Sequence, residues 1–206
     1  MKKGLTELVF ILDRSGSMAG LESDTIGGFN AMLNQQKKQP GETFITTVLF
    51  DHKVELLHDR INLRGVEPIT DKEYFVRGST ALLDAIGLTL TKVINVQKRT
   101  AESERAEHVL FVITTDGMEN ASREFSYEQI NRMIERQTTQ YGWEFIFLGA
   151  NMDAIATATR LGIRQDRATN YLADHQGTLL NYEVLNEAIN SMRYTHEIPE
   201  NWKRRI

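Results

Sequence analysis

Two continuous apolar runs, LVFIL at 8–12 and VLFVI at 109–113, constrain this chain more than any other feature. Neither run alternates apolar with polar residues, so neither suits a strand with one face in water. Short runs rich in branched residues fit strands buried on both faces, as at the centre of a parallel sheet covered by helices. A third run, FIFL at 145–148, reads the same way. FITTVLF (44–50), DHK and VELL (54–57) read as two strands joined by a tight turn, which makes that pair antiparallel.

Helical spacing fills the gaps between these runs. Ile26, Phe29 and Leu33 share one face, and Leu83, Ile86, Leu90, Val93 and Gln97 continue that period from 81 to 98. Ser126 and Gln129 form a capping box, with Phe125 placed to staple onto Ile130; Met133, Ile134 and Gln137 follow. A short helix is expected from Asp153 to Leu161 with Gly162 as its stop, and a last one over about 177–193 carries Leu185, Ile189 and Met192. A further strand is expected near 169–172. Alternation of this kind predicts an α/β fold, an open doubly wound, Rossmann-like sheet with helices on both faces. Right-handed crossovers then place the carboxyl ends of the parallel strands along one edge, where such sheets bind ligands at the switch in strand order.

With 206 residues and no Pro/Gly/Ser-rich linker, the chain reads as one domain, its core over about 5–193 and a basic tail at 194–206 expected to fray. A net charge of −4 gives no reason to expect nucleic acid or an anionic membrane as partner. Cysteine is absent, which excludes disulfides, thiolate metal sites and cysteine nucleophiles. The LVFIL run is too short for a leader's apolar core and no stretch is long enough for a membrane helix, so a cytoplasmic location is the expectation.

Three stretches should meet at the ligand edge: Asp13-Arg14-Ser15-Gly16-Ser17 after the first strand, Gly78-Ser79-Thr80 before the long helix, and Thr114-Thr115-Asp116-Gly117 after VLFVI. They bring carboxylates from Asp13 and Asp116 and hydroxyls from Ser15, Ser17 and Thr80, all hard oxygen donors. Such a set suits Mg²⁺ or Mn²⁺, Ca²⁺ less well, and argues against Zn²⁺. Two carboxylates balance a divalent ion on paper, and hydroxyls add coordination without charge. If one aspartate binds through water, the ion keeps enough positive charge to accept an anionic ligand from outside.

DRSGSM, GSTALLDAI and ITTDGMEN resemble the three motif loops of the von Willebrand factor type A family, whose signature is Asp-x-Ser-x-Ser, then a distant Thr, then a distant Asp. These fall on Asp13, Ser15, Ser17, Thr80 and Asp116 without departure, and the likeness extends over about residues 5–193. It is nearest to the small stand-alone type A proteins of bacteria and their phages. The resemblance implies a three-layer sandwich around a six-stranded, mostly parallel sheet with one short antiparallel edge strand. It also implies a metal-ion-dependent adhesion site, in which the ion bridges to an acidic residue of a protein partner. Ser15, Ser17 and Thr80 would then be direct ligands, with Asp13 and Asp116 binding directly or through water.

Around this set the residues have plainer readings. Glu119 and Asn120 either line the rim and select partners or form a solvated turn, and Arg77 either holds the threonine loop, meets an acidic ligand or, by default, is a plain surface arginine. Asp84 suits the positive end of its helix, Asn151 or Asp153 suits a cap, and the histidines at 52, 58, 108, 175 and 196 receive no chemistry.

Three functions follow. The first is a non-catalytic, metal-dependent protein-binding module. The second is a Mg²⁺-dependent hydrolase or phosphatase using the same edge. Against it, Ser15 stands where a haloacid-dehalogenase-type phosphatase wants a second aspartate, and no phosphate-binding glycine pattern follows the first strand. The third is a scaffold with a vestigial site, which the complete ligand set disfavours.

Overall fold

The computed structural model describes residues 1–206. Six strands form one sheet: β1 (Lys2–Asp13), β2 (Glu42–Phe50), β3 (Val54–Asn62), β4 (Ala106–Thr115), β5 (Glu144–Gly149) and β6 (Ala168–Asn170). Their order is β3-β2-β1-β4-β5-β6. All neighbouring pairs are parallel except β2 and β3, so the antiparallel strand lies at the edge as expected. β3 runs to Asn62, further than VELL indicated, because its later residues pair with Phe44 and Ile45 despite two register shifts.

Five α-helices flank the sheet: α1 (Glu22–Lys37), α2 (Leu82–Arg99), α3 (Tyr127–Tyr141), α4 (Ala154–Arg160) and α5 (His175–Thr195). The unbroken apolar runs have the predicted meaning. Leu8, Phe10 and Leu12 of β1 join Leu110 and Val112 of β4 under Phe29, Leu33, Leu185 and Ile189 of α1 and α5. Val9 and Ile11 join Phe111 and Ile113 under Leu83, Ile86, Leu90, Ile130 and Ala158 of α2, α3 and α4. One apolar cluster has 26 buried residues and the other 25, so neither face of the sheet is left to water. No helix is long and apolar enough to cross a membrane.

Local signals set the helix ends. Ser126 accepts from the Gln129 amide while the Gln129 side chain accepts from the Ser126 amide, completing the capping box. Asp153, not Asn151, caps α4 through the Ala156 amide, and Gly162 follows its end with φ +84°. Asp174 caps α5 through the Gly177 amide, so this helix starts two residues before the expected 177 and runs to Thr195.

Order in strand number places the functional edge. The chain passes from β1 to β2 on one side, then returns to lay β4 on the other side of β1. The crossovers therefore diverge between β1 and β4, and a crevice opens there at the carboxyl ends. Asp13 ends β1 and Thr115 ends β4, directly at that point.

The basic tail does not fray. Glu200–Lys203 forms a turn of 3₁₀-helix, Trp202 is buried in the α1/α5 cluster, and its indole Nε1 donates to the Asp166 carbonyl at 2.8 Å. Lys203 donates to the carbonyls of Gln165 and Ala168, and Arg205 pairs with Glu183 and Glu187 of α5. The charge of Trp-Lys-Arg-Arg predicts a solvated tail, but the indole buries its apolar area in the cluster that α5 helps form. Trp202→Ala should therefore cost about 3 kcal/mol, the usual range for truncating a buried indole. Urea unfolding would measure it, and a change near zero would mean that the tail contributes nothing to the fold.

Candidate metal centre

The five predicted residues come together at the β1/β4 edge. The Ser15 and Ser17 hydroxyl oxygens lie 3.0 Å apart, and the Thr80 hydroxyl donates to Ser15 Oγ at 3.0 Å. A Cβ placed on Gly117, the residue after Asp116, would stand 2.7 Å from Thr80 Oγ1, 2.9 Å from Ser17 Oγ and 3.4 Å from Ser15 Oγ. Three hydroxyls from two loops thus crowd one point beside the third loop, and Gly117 is the residue that leaves this space open. Asp13, Ser15, Thr80 and Asp116 are buried, while Ser17 is exposed and connects the cluster to solvent.

The two carboxylates differ. Asp13 Oδ1 accepts from the Ser15 amide at 2.7 Å, and Oδ2 accepts from the Thr115 hydroxyl at 2.5 Å. Burial pushes the Asp13 carboxyl up to about 6; these bonds oppose the shift, and the charge of Asp116 adds to it. Both oxygens of Asp116 are buried without a hydrogen-bond partner. Burial raises its pKa too, tempered by the nearby Ser17 hydroxyl and its own backbone. A buried carboxylate with neither oxygen bonded is costly unless a cation or a proton joins it. Two carboxylates and three hydroxyls around a shared space fit a divalent ion, with Asp116 offering the free lone pairs.

The loops are held by backbone bonds as well as side chains. The Gly16 amide donates to the Gly78 carbonyl at 3.0 Å, which joins the first and second loops. Gly78 has φ +68° and packs against the His52 ring, so no other residue fits there without strain. The Thr80 amide donates to Asn120 Oδ1 at 2.9 Å, and the Asn120 amide donates back to the Thr80 carbonyl at 3.0 Å.

Glu119 therefore reads differently from a partner-selecting rim residue. Its carboxylate accepts from the Leu83, Ala121 and Ser122 amides and from the Ser122 hydroxyl, tying the third loop to the start of α2. Asp84 does not serve its own helix end; it accepts from the amides of Arg123, Glu124 and Phe125. Arg77 is a positioning residue, with Nε donating to Asp51 Oδ2 at 2.8 Å and its amide donating to the Arg14 carbonyl.

Four residues escaped the sequence reading. Thr115 orients Asp13, and the Tyr74 hydroxyl donates to the Asp13 carbonyl. Arg14 is fully buried, with Nε on Asp51 Oδ2 at 3.0 Å and Nη2 on Glu55. Burial alone would raise Asp51, but hydrogen bonds from Arg77, the Lys53 amide and Arg14 together hold it below the usual carboxylate range. Thr115 and Arg14 sit inside the quoted motifs and could have been flagged there. Asp51 and Tyr74 carry no local signal.

No protein-family model matches the sequence, and no curated protein matches it. Solved structures do. The von Willebrand factor domain of the type V pili tip protein Mfa5 from Porphyromonas gingivalis superposes with a TM-score of 0.62 at 11% identity, covering 97% of this chain and 100% of that one. The chain has the von Willebrand factor type A fold. A von Willebrand factor type A protein from Catenulispora acidiphila matches with a TM-score of 0.61 at 11% identity, over 91% of this chain and 42% of its own. Proximal thread matrix protein 1 from the mussel byssus, in a structure with a zinc-occupied metal-ion-dependent adhesion site, matches with a TM-score of 0.61 at 13% identity, over 90% of this chain and 46% of its own. This chain therefore spans less than half the length of the latter two. The zinc in the mussel protein means that the type A fold is compatible with an ion the oxygen donors here were expected to disfavour.

The raised carboxyl of Asp13 has a signed consequence for the metal-free type A fold. Its native form holds a proton more tightly than the unfolded chain, whose value lies near 3.8. The contribution of this group to stability is therefore full below the unfolded value and is lost as pH rises through about 6. In EDTA, the wild type should lose stability relative to Asp13→Asn across that window, by an amount on the order of a few kcal/mol. Urea midpoints at a series of pH values would show it; a constant difference would mean that Asp13 is not perturbed.

Proposed function

We propose that this chain is a divalent-metal-dependent protein-binding module. Asp13, Ser15, Ser17, Thr80 and Asp116 hold the ion at the carboxyl edge of the sheet, and a partner protein supplies an Asp or Glu carboxylate as a further ligand. The observation that carries this reading is Asp116, whose two buried oxygens lack partners beside three converging hydroxyls. With one aspartate binding through water, such a set gives the ion enough oxygen to bind and leaves it part of its positive charge, so an outside anion completes it. The exposed Ser17 supports access from solvent. The donor chemistry favours Mg²⁺ or Mn²⁺ over Ca²⁺.

No catalysis is part of this reading. Every donor in the set has a ligand role, and the loops are fastened by carboxylates that serve backbone amides. The pilus-tip neighbour is consistent with an adhesive use of the fold and extends the expected location from the cytoplasm to the cell surface. A nucleic acid or lipid partner has no basis in the charge.

The test has two stages. Calorimetry with Mg²⁺ and Mn²⁺ should show binding to the wild type and a loss of about tenfold or more in Thr80→Ala. The immobilised protein should then capture a partner from lysate of its own source with Mg²⁺, and not with EDTA or in Thr80→Ala. Equal capture in all lanes would remove the metal edge as the binding surface, and metal-dependent turnover of a phosphate ester, abolished in Asp13→Asn, would replace binding by hydrolysis.

A further inference from the structure

A second cluster of metal-ligating groups lies at the other end of β4. Glu107 and His108 are at its start, eight and more residues before Asp116, which corresponds to roughly 25 Å of strand. His196 arrives from the end of α5, as its C-terminal cap. His196 Nδ1 lies 2.8 Å from His108 Nε2, and Glu107 Oε2 lies 3.9 Å from the same His108 nitrogen. One ligand atom from each residue falls within 4.8 Å of the other two.

These separations fit a shared ion. With arms of about 2.0–2.1 Å, neighbouring donors on a tetrahedral zinc stand roughly 3.3 Å apart; the two rings now share a hydrogen bond at 2.8 Å, so an ion would replace the proton between them and draw the Glu107 oxygen in from 3.9 Å. Two features of the backbone favour the arrangement. His196 sits in the left-handed region at φ 63°, an uncommon conformation for a residue with a side chain, and it turns the ring back toward β4. Glu107 Oε2 also accepts from the Gly4 amide at 2.6 Å, beside the register shift between β1 and β4, which fixes the carboxylate in place. Burial holds His108 below the usual histidine range against the opposing charge of Glu107, with a smaller contribution from His196, which favours the neutral ring that ligates a metal.

We propose that Glu107, His108 and His196 form a second metal site, taking Zn²⁺ or another borderline divalent ion, that ties the end of α5 to the amino edge of the sheet. Two imidazole nitrogens and one carboxylate are the donor set that zinc prefers and magnesium does not. The exposed side of His196 leaves the fourth position to water. One chain would then sort ions by donor type, with oxygen donors at the carboxyl edge and nitrogen donors at the amino edge. The proposal is independent of the function assigned to the first site.

The test is zinc calorimetry on the full chain at neutral pH with Mg²⁺ in excess, for the wild type, His196→Asn, His108→Gln and Thr80→Ala. Asparagine tolerates the left-handed conformation, so His196→Asn preserves the end of α5. The wild type and Thr80→Ala should share a zinc-binding event that weakens about tenfold or more in both histidine variants. The imidazole ¹⁵N signals of His108 and His196 should shift with zinc and stay still with magnesium. Zinc binding unchanged in both histidine variants, lost in Thr80→Ala instead, or unaccompanied by imidazole shifts would overturn the proposal.

Discussion

Asp13 holds a carboxylate where burial works against its charge. The residue is 1% exposed, at the end of a strand whose five preceding residues, Leu8 to Leu12, are all apolar and buried. Its position is maintained by bonds that span the switch point. The Ser15 amide holds one oxygen from within the first loop, and the Thr115 hydroxyl holds the other from the end of β4. Tyr74 adds a bond to the carbonyl from a third segment. The ends of the two central strands are therefore fastened to each other through the same side chain that faces the candidate ion. Placing Ser15, Ser17 and Asp116 around one space depends on that fastening.

A second buried charge stabilises the first loop from its other side. Between Asp13 and Ser15, the alternation of the extended chain gives Arg14 to a different environment, where it meets Asp51 and Glu55 of the β2–β3 pair. Arg77 shares Asp51 and donates its amide to the Arg14 carbonyl, so the second loop is locked to the first by the same group. A buried ion pair of this kind contributes little net stability against an apolar alternative, but removing one partner strands the other. Its value here is geometric: the loop that carries Ser15 and Ser17 cannot shift without breaking a fully buried guanidinium contact.

The central architecture was legible because it rests on short-range pattern. LVFIL and VLFVI announce two-sided burial, the Ser126 box announces α3, and two polar loops at strand ends with a third before a helix announce a shared edge. The last strand and the last helix were displaced by two residues or fewer, since Asp174 and not a hydrophobic repeat decides where α5 begins. The misreadings share a cause. Trp202 and Asp84 are read from their own neighbourhood in the chain, and each acts on a partner distant in sequence; the loop-holding reading of Arg77 agrees with its bonds to Asp51 and Arg14. Asp84 serves amides about forty positions away, and Trp202 meets Asp166 across the end of the fold. Charge and polarity report that a side chain needs a partner; they do not report which loop will supply it.

The same accounting explains why one carboxylate stands apart. The edge is rich in acid, with Asp13, Asp51, Asp84, Asp116 and Glu119 all close to the three loops. Asp84 and Glu119 are saturated by backbone amides, and Asp51 by two guanidinium groups and an amide. Asp13 has one bond on each oxygen. Asp116 has none, although it is 4% exposed. If acidity alone selected an ion, any of these groups would compete for it. Because the neighbours are satisfied internally, the unmet demand for positive charge is concentrated at Asp116, beside three hydroxyls that add oxygens without adding charge. On the proposed reading, this distribution would draw a divalent ion to one place and, with one aspartate bound through water, leave it electrophilic there, the property that recognition of an external carboxylate requires.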